Sequence, residues 1–173
     1  MISKKMSDAL NKHMNLELYS AHLYLSMSSY ANILGLKGAA NWFTVQYREE
    51  MTHFFKLYAY LIDQGENIAL LAGKAVPNKY KSLLELFEKT LAHEQLITKC
   101  INELSEQAVQ EKDHATRIFL QWFVTEQIEE ENNDRDLIAK LKLVGDNGHG
   151  ILMIDAEMGQ RVFMPPPGTP VMI

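Results

Sequence analysis

Cysteine, proline, glycine and basic runs are all scarce in this chain, and each scarcity excludes something. One cysteine, Cys100, rules out an internal disulfide framework and suits a reducing compartment, where it reads as a small hydrophobe within a helix. Of five prolines, four fall after residue 164, and there are only nine glycines, so the body of the chain is nearly free of helix breakers. The net charge is −5 and no Lys/Arg run exists, which removes the electrostatic footprint of a nucleic-acid binder. Polar residues interrupt every apolar stretch, including the one behind Lys4 and Lys5. Neither a signal peptide nor a membrane span is expected, and the expected address is the cytoplasm. What remains is 173 residues with 47% hydrophobic and 23% charged content, enough for one domain with a sizeable core.

Hydrophobic periodicity divides the body into long helices. The first spans about residues 4–34 and closes near Gly35; the second spans about 37–64 and ends at Gly65. A connection that short makes them an antiparallel hairpin. Residues 65–81 lack a helical period and contain Gly73 and Pro77. Extended, this stretch reaches about 56 Å, longer than the roughly 42 Å of a 28-residue helix, so it can cross the whole length of a bundle. Ser82 with Glu85 forms a capping box for a third helix, and Asp113 caps a fourth that runs to about Val144. A polar turn then leads to a short helix over 150–158, whose apolar residues suggest contact with other subunits. The expected fold is all-α: an antiparallel four-helix bundle with one long crossover and a short fifth C-terminal helix. The domain is placed at 1–160, and the Pro-rich tail 161–173 is expected to be extended or disordered.

Four inner stripes carry carboxylates where apolar side chains belong. They read Leu10, Met14, Glu17, Ala21, Tyr24, Ser28; then Ala39, Phe43, Gln46, Glu50, His53, Leu57, Tyr60. The third is Leu83, Phe87, Thr90, Glu94, Ile97, Ile101, Leu104, Ala108, and the fourth Thr116, Phe119, Phe123, Glu126, Glu130, Asn133, Leu137. Glu17 and Glu50 each lie about 13 residues into their helices, Glu94 about 12, and Glu126 and Glu130 about 13 and 17. Antiparallel helices of similar length bring these positions into one layer at the bundle centre. Buried carboxylates are costly unless paired, and the stripes hold no Lys or Arg. Divalent or trivalent cations can hold such a set together. Oxygen-rich ligation with a single imidazole suits iron or manganese better than structural zinc. His13, His22, His93, His114 and His149 fall off the stripes and are expected to be solvated or locally satisfied, and Glu131 to belong to a solvated face.

The sequence resembles the bacterial non-haem ferritins. The resemblance rests on Asn15-Leu-Glu-Leu-Tyr19 with Tyr24, on Glu49-Glu-Met-Thr-His53, on His93-Glu-Gln95, and on Phe119-Leu-Gln-Trp-Phe-Val-Thr-Glu-Gln-Ile-Glu-Glu-Glu131. It implies one iron on Glu17, Glu50 and His53, with Gln127 close enough to ligate or hydrogen-bond. Glu50 would bridge to a second iron held by Glu94 and Glu130. A looser third iron site would match Glu49, Glu126, Glu129 and Glu130. Tyr24 would stand near the di-iron centre, with Trp122 a second electron source. The implied activity is a ferroxidase that oxidises Fe(II) with dioxygen or hydrogen peroxide. The implied assembly is a hollow shell of twenty-four subunits that stores hydrated ferric oxide. The apolar, Pro-rich end departs from the short polar end usual in the family.

Three alternatives use the same bundle, one of them a purely structural bundle whose inward carboxylates are satisfied by water. A haem-binding bacterioferritin would carry a second Glu-x-x-His on the fourth helix, where this chain has Glu126-x-x-Glu129, and would ligate haem through Met51. Met51 reads as ordinary packing, and no haem is expected. A di-iron peroxidase or oxygenase would need a small-substrate pocket and an electron-transfer partner.

Overall fold

The structure is a computed structural model, and residues 2–165 are described. Five helices follow in order: α1 (Lys4–Ile33), α2 (Lys37–Asp63), α3 (Leu83–Gln110), α4 (His114–Val144) and α5 (Gly148–Met158). No strand occurs among the described residues. The Pro-rich part of the tail lies outside them, and residues 161–165 carry no regular secondary structure.

Local chemistry sets the boundaries. Ser3 Oγ accepts from the Met6 amide, Ser82 Oγ from the Glu85 amide and Asp113 Oδ1 from the Thr116 amide, so three of the long helices start on a side-chain cap. The Glu85 carboxylate reaches back to the Lys81 amide, one residue earlier than a standard capping box. Past the end of α2, Gly65 has φ +77°, a left-handed conformation that glycine enters without strain.

The α1/α2 and α3/α4 hairpins pack with every facing pair antiparallel. Ser3 meets Glu111 and Tyr30 meets the Tyr80 carbonyl across α1 and the α3 end of the chain, while Gln46 meets Glu130 and Tyr60 meets Thr116 across α2 and α4. The crossover runs along α1, and α1 holds it by side-chain amides. Asn11 bonds the Asn67 carbonyl and the Ala69 amide; Asn15 bonds the Ala69 carbonyl and the Leu71 amide. Those bonds satisfy a backbone that has no ladder of its own.

Helix α5 packs across the start of α2. That start has no side-chain cap of its own, and Asp155 of α5 accepts from the Ala39 amide at 2.8 Å instead. The approach is so close that a Cβ on Gly38 would meet the Asp155 carbonyl oxygen at 1.6 Å. Ile154 and Met158 are buried there, whereas Leu152 and Met153 remain exposed. The apolar content of α5 therefore has two destinations, one of them within its own chain.

The core is split. One apolar cluster fills the α5 end (Tyr24, Met27, Phe43, Phe87, Leu137, Leu141) and another the opposite end (Leu10, Met14, Leu57, Ile97, Leu104, Leu120). Between them lies a layer of buried polar side chains, which includes Glu17, Gln46, Glu50, His53, Glu94, Gln127 and Glu130.

Candidate metal centre

Each helix delivers its part of this layer at mid-length. Glu17 comes from α1, Glu50 and His53 from successive turns of α2, Glu94 from α3, and Gln127 and Glu130 from α4. Donor atoms of Glu17, Glu50 and His53 all lie within 4.8 Å of one another. His53 Nδ1 is 3.4 Å from Glu50 Oε2. Gln127 Nε2 donates to Glu94 Oε2 at 2.9 Å, Tyr24 donates its phenol proton to Glu94 Oε1, and Gln46 Nε2 donates to Glu130 Oε2 at 2.9 Å. Gln127 thus orients Glu94, and each of these carboxylate oxygens keeps a further lone pair beyond the bond it accepts.

Most of these carboxylates are held towards their protonated, uncharged form. Burial, with Glu17 and Glu94 nearby, pushes Glu50 well above the usual carboxylate range. Burial also raises Glu94, against the pull of Gln127 and Tyr24, to about 7. Burial and Glu94 raise Glu130 to about 8. Glu17 runs the other way: burial pushes it up, but the His13 and His53 imidazoles outweigh that and hold it at about 2. Burial lowers His53, keeping a neutral imidazole with a lone pair to offer, and burial and Glu94 raise the Tyr24 phenol.

These residues fit a small cation. Both oxygens of Glu17 and Oε2 of Glu50 are buried without a hydrogen-bond partner, a costly state that a positive ion relieves. First-row metal ligands bind at about 2.0–2.2 Å, which puts the donors of one ion no more than about 4.4 Å apart. The Glu17, Glu50 and His53 set needs only a small contraction to reach that.

The residues matched to a looser third site are placed less uniformly. Glu49 and Glu126 are half-buried and Glu129 is exposed. Burial raises Glu49 to about 8, with Arg161 opposing and Glu130, Glu126 and Glu129 reinforcing, so the four carboxylates share one neighbourhood. Trp122 stands with its ring 5.3 Å from His53, and Met51 is half-buried against apolar neighbours.

Three expectations need correction. The inner stripe of α4 is Thr116, Leu120, Phe123, Gln127, Glu130, Asp134, Leu137 and Leu141, so Phe119, Glu126 and Asn133 sit at its edge. Stepping by four then three and by three then four share every seventh residue, and only packing chooses between them. The buried face therefore contains Asp134, whose two oxygens lack partners and which burial and Glu94 raise to about 9. The second correction is His13, which is neither solvated nor satisfied. It is 3% exposed with its Nε2 3.0 Å from Glu17 Oε1, out of line for a hydrogen bond. The position four residues before Glu17 was the available signal. His22, His114 and His149 are exposed, and His93 pairs with Ser20 at 2.7 Å. Third, Glu131 does not stand on a solvated face: its side chain is 13% exposed, accepts from the Thr98 hydroxyl and pairs with Arg135. The stripes themselves hold no Lys or Arg, but a cation stands beside the layer. Arg161 Nη2 lies 2.6 Å from Glu49 Oε2; it follows α5, so no helical stripe could reveal it.

A bundle of four antiparallel helices that buries carboxylates from every helix, with imidazole beside them, has the architecture of the helical carboxylate metal proteins. Comparison with known proteins is more specific. The ferritin-like domain family matches residues 7–144. A probable bacterial non-heme ferritin-like protein of Haemophilus influenzae is 42% identical over 159 residues, 92% of this chain and 96% of its own. The bacterial non-heme ferritin of Campylobacter jejuni is 43% identical over 155 residues, 90% of this chain and 93% of its own. Among solved structures, the open-pore ferritin of the archaeon Archaeoglobus fulgidus superposes with a TM-score of 0.93 at 45% identity, covering 94% of this chain and 100% of that one. The chain belongs to the ferritin family. Among the described residues, no helix is long and apolar enough to cross a membrane.

Proposed function

We propose that this chain is an iron-storage ferroxidase. It takes Fe(II) as substrate at the central carboxylate layer, oxidises it in pairs and passes Fe(III) to a mineral store inside a hollow multi-subunit shell. The observation that carries the reading is the buried Glu17, Glu50 and His53 cluster, whose donors converge while three carboxylate oxygens lack a hydrogen-bond partner. Family membership supports iron as the cargo.

On this reading Glu17 and His53 hold one Fe(II), Glu94 and Glu130 the other, and Glu50 lies between them. Ionised carboxylates favour the more highly charged Fe(III), so the ligands supply driving force as well as position. Two Fe(II) give up two electrons to one dioxygen, which takes two protons and leaves as hydrogen peroxide; with peroxide as oxidant, two waters form. Gln127 and Tyr24 keep Glu94 oriented. The phenol of Tyr24 and the indole of Trp122 stand near enough to serve as further one-electron donors. Glu49, Glu126 and Glu129 lead outward from Glu130 and offer weaker, exchangeable oxygens suited to onward transfer. The non-heme ferritins among the relatives favour the non-haem form of this chemistry.

Stopped-flow absorbance after mixing Fe(II) with the aerated metal-free protein tests this. A fast phase saturating near two irons per subunit, on a particle that then retains iron, is expected. A fast phase without retention would move the assignment to a di-iron peroxidase or oxygenase. Replacing His53 or Glu50 with Ala should slow the fast phase by about a hundredfold while leaving the particle intact. Unchanged kinetics would remove both from the centre.

A further inference from the structure

The centre carries a cation of its own. Arg161 leaves the end of α5 with its carbonyl accepting from Asn41 Nδ2 at 2.9 Å. Its guanidinium lies 4.6 Å from the Trp42 ring centroid, and Nη2 reaches Glu49 Oε2 at 2.6 Å, both side chains being 21% exposed. Nη1 is buried without a partner, and so are both oxygens of Asp134, a carboxylate that Arg161 draws downward together with Glu130. A guanidinium cannot be deprotonated here, so its charge is permanent. The Trp42 face holds it by cation–π attraction without using an N–H, leaving the fork free for carboxylates.

We propose that the Arg161 guanidinium is the resident cation of the outer carboxylate group around Glu49, so that the centre takes two metal ions tightly and admits a third only by displacing Arg161. This rests on reading the carboxylate layer as a metal centre. The oxygen that receives the Nη2 proton cannot also offer that lone pair to a metal, so the two cations compete for Glu49. The competition is set by the fold. Arg161 is carried two residues beyond the Gly38–Gly159 contact that seats α5 on α2. The strength of the outer site is therefore tied to how firmly α5 is seated.

Titrating Zn2+ into the metal-free assembled protein, by calorimetry, tests this in the wild type and in Arg161→Gln, Arg161→Lys and Arg161→Gln/Glu49→Gln. In Arg161→Gln the third ion should bind about tenfold tighter, the worth of a charge-assisted hydrogen bond, with the first two unchanged. The gain should vanish in the double variant, and Arg161→Lys, which keeps the charge, should stay near wild type. Equal third-ion affinity in wild type and Arg161→Gln overturns the proposal. So does an equal gain in Arg161→Lys, which would trace the effect to tail packing rather than charge. If the first two ions fail to bind in any protein, the di-metal reading falls. A gain in Arg161→Gln that depends on Glu49 would still support the guanidinium as occupant.

Discussion

At the scale of single residues, the layer is held in a protonation state that metal binding must change. Glu94, Glu130 and Asp134 are raised to about 7, 8 and 9 from the usual 4.5 (3.8 for Asp). The folded chain therefore binds more protons than the unfolded one from about pH 4 to 9, and that contribution to stability is lost as pH rises through this window. The metal-free protein should melt at a lower temperature at pH 8.5 than at pH 6, and saturating Zn2+ should shrink the difference, since the cation replaces the protons. A melting temperature that rises over the same interval would show that these carboxylates are not buried as described. Glu17, held at about 2, has the opposite sign: its contribution is present above its ordinary 4.5 and is lost as pH falls towards 2. His13 is the largest influence lowering it. His13→Gln should weaken the first Zn2+ ion by about tenfold, because Glu17 would then hold its proton more firmly against the metal. An unaltered affinity would make His13 a packing residue only.

At the scale of elements, the sequence is legible where a rule has one solution. The stripes of α1 and α3 are buried residue for residue, because long helices with no internal Gly or Pro leave only the phase to decide, and Leu, Met, Ile and Phe fix it. On α4 the apolar residues are fewer and two phases fit. The phase chosen by packing brings Gln127 and Asp134 inward and turns Glu126 half outward. Glu17, Glu50, His53 and Glu94 were legible because a charged residue on an otherwise apolar face stands out. His13 and Arg161 were not, since one sits just off the stripe and the other arrives from beyond α5. The crossover was legible as a length, but its tether to Asn11 and Asn15 was not, because long-range side-chain bonds leave no period. The seat of α5 gives the sharpest element-scale prediction. Gly38→Ala should destabilise by about 1–3 kcal/mol, the usual cost of overpacking, and release α5 as faster amide exchange over 148–158. Unchanged exchange would mean that α5 is seated by Ile154 and Met158 alone.

At the scale of the whole molecule, the split core separates two rigid apolar ends from a titratable middle. Two apolar clusters fix the bundle ends, and on the proposed reading the carboxylate layer between them would exchange protons for metal without disturbing either. Apolar side chains are also left exposed on several elements, among them Ile33, Leu70, Ile118, Leu143, Leu152 and Met153. Such a surface suits assembly with further copies. Light scattering should give a mass many times the 19.8 kDa chain, and Leu152→Lys/Met153→Lys should change the particle without altering α1–α4. A monomer in the wild type would remove the storage shell.

The most direct test of the central claim is an anaerobic Fe(II) titration of the metal-free protein at neutral pH, with bound iron and released protons counted together. A paired centre built from raised carboxylates predicts tight saturation near two Fe(II) per subunit, with protons released at each step. Binding that does not saturate, or that saturates without proton release, would contradict it.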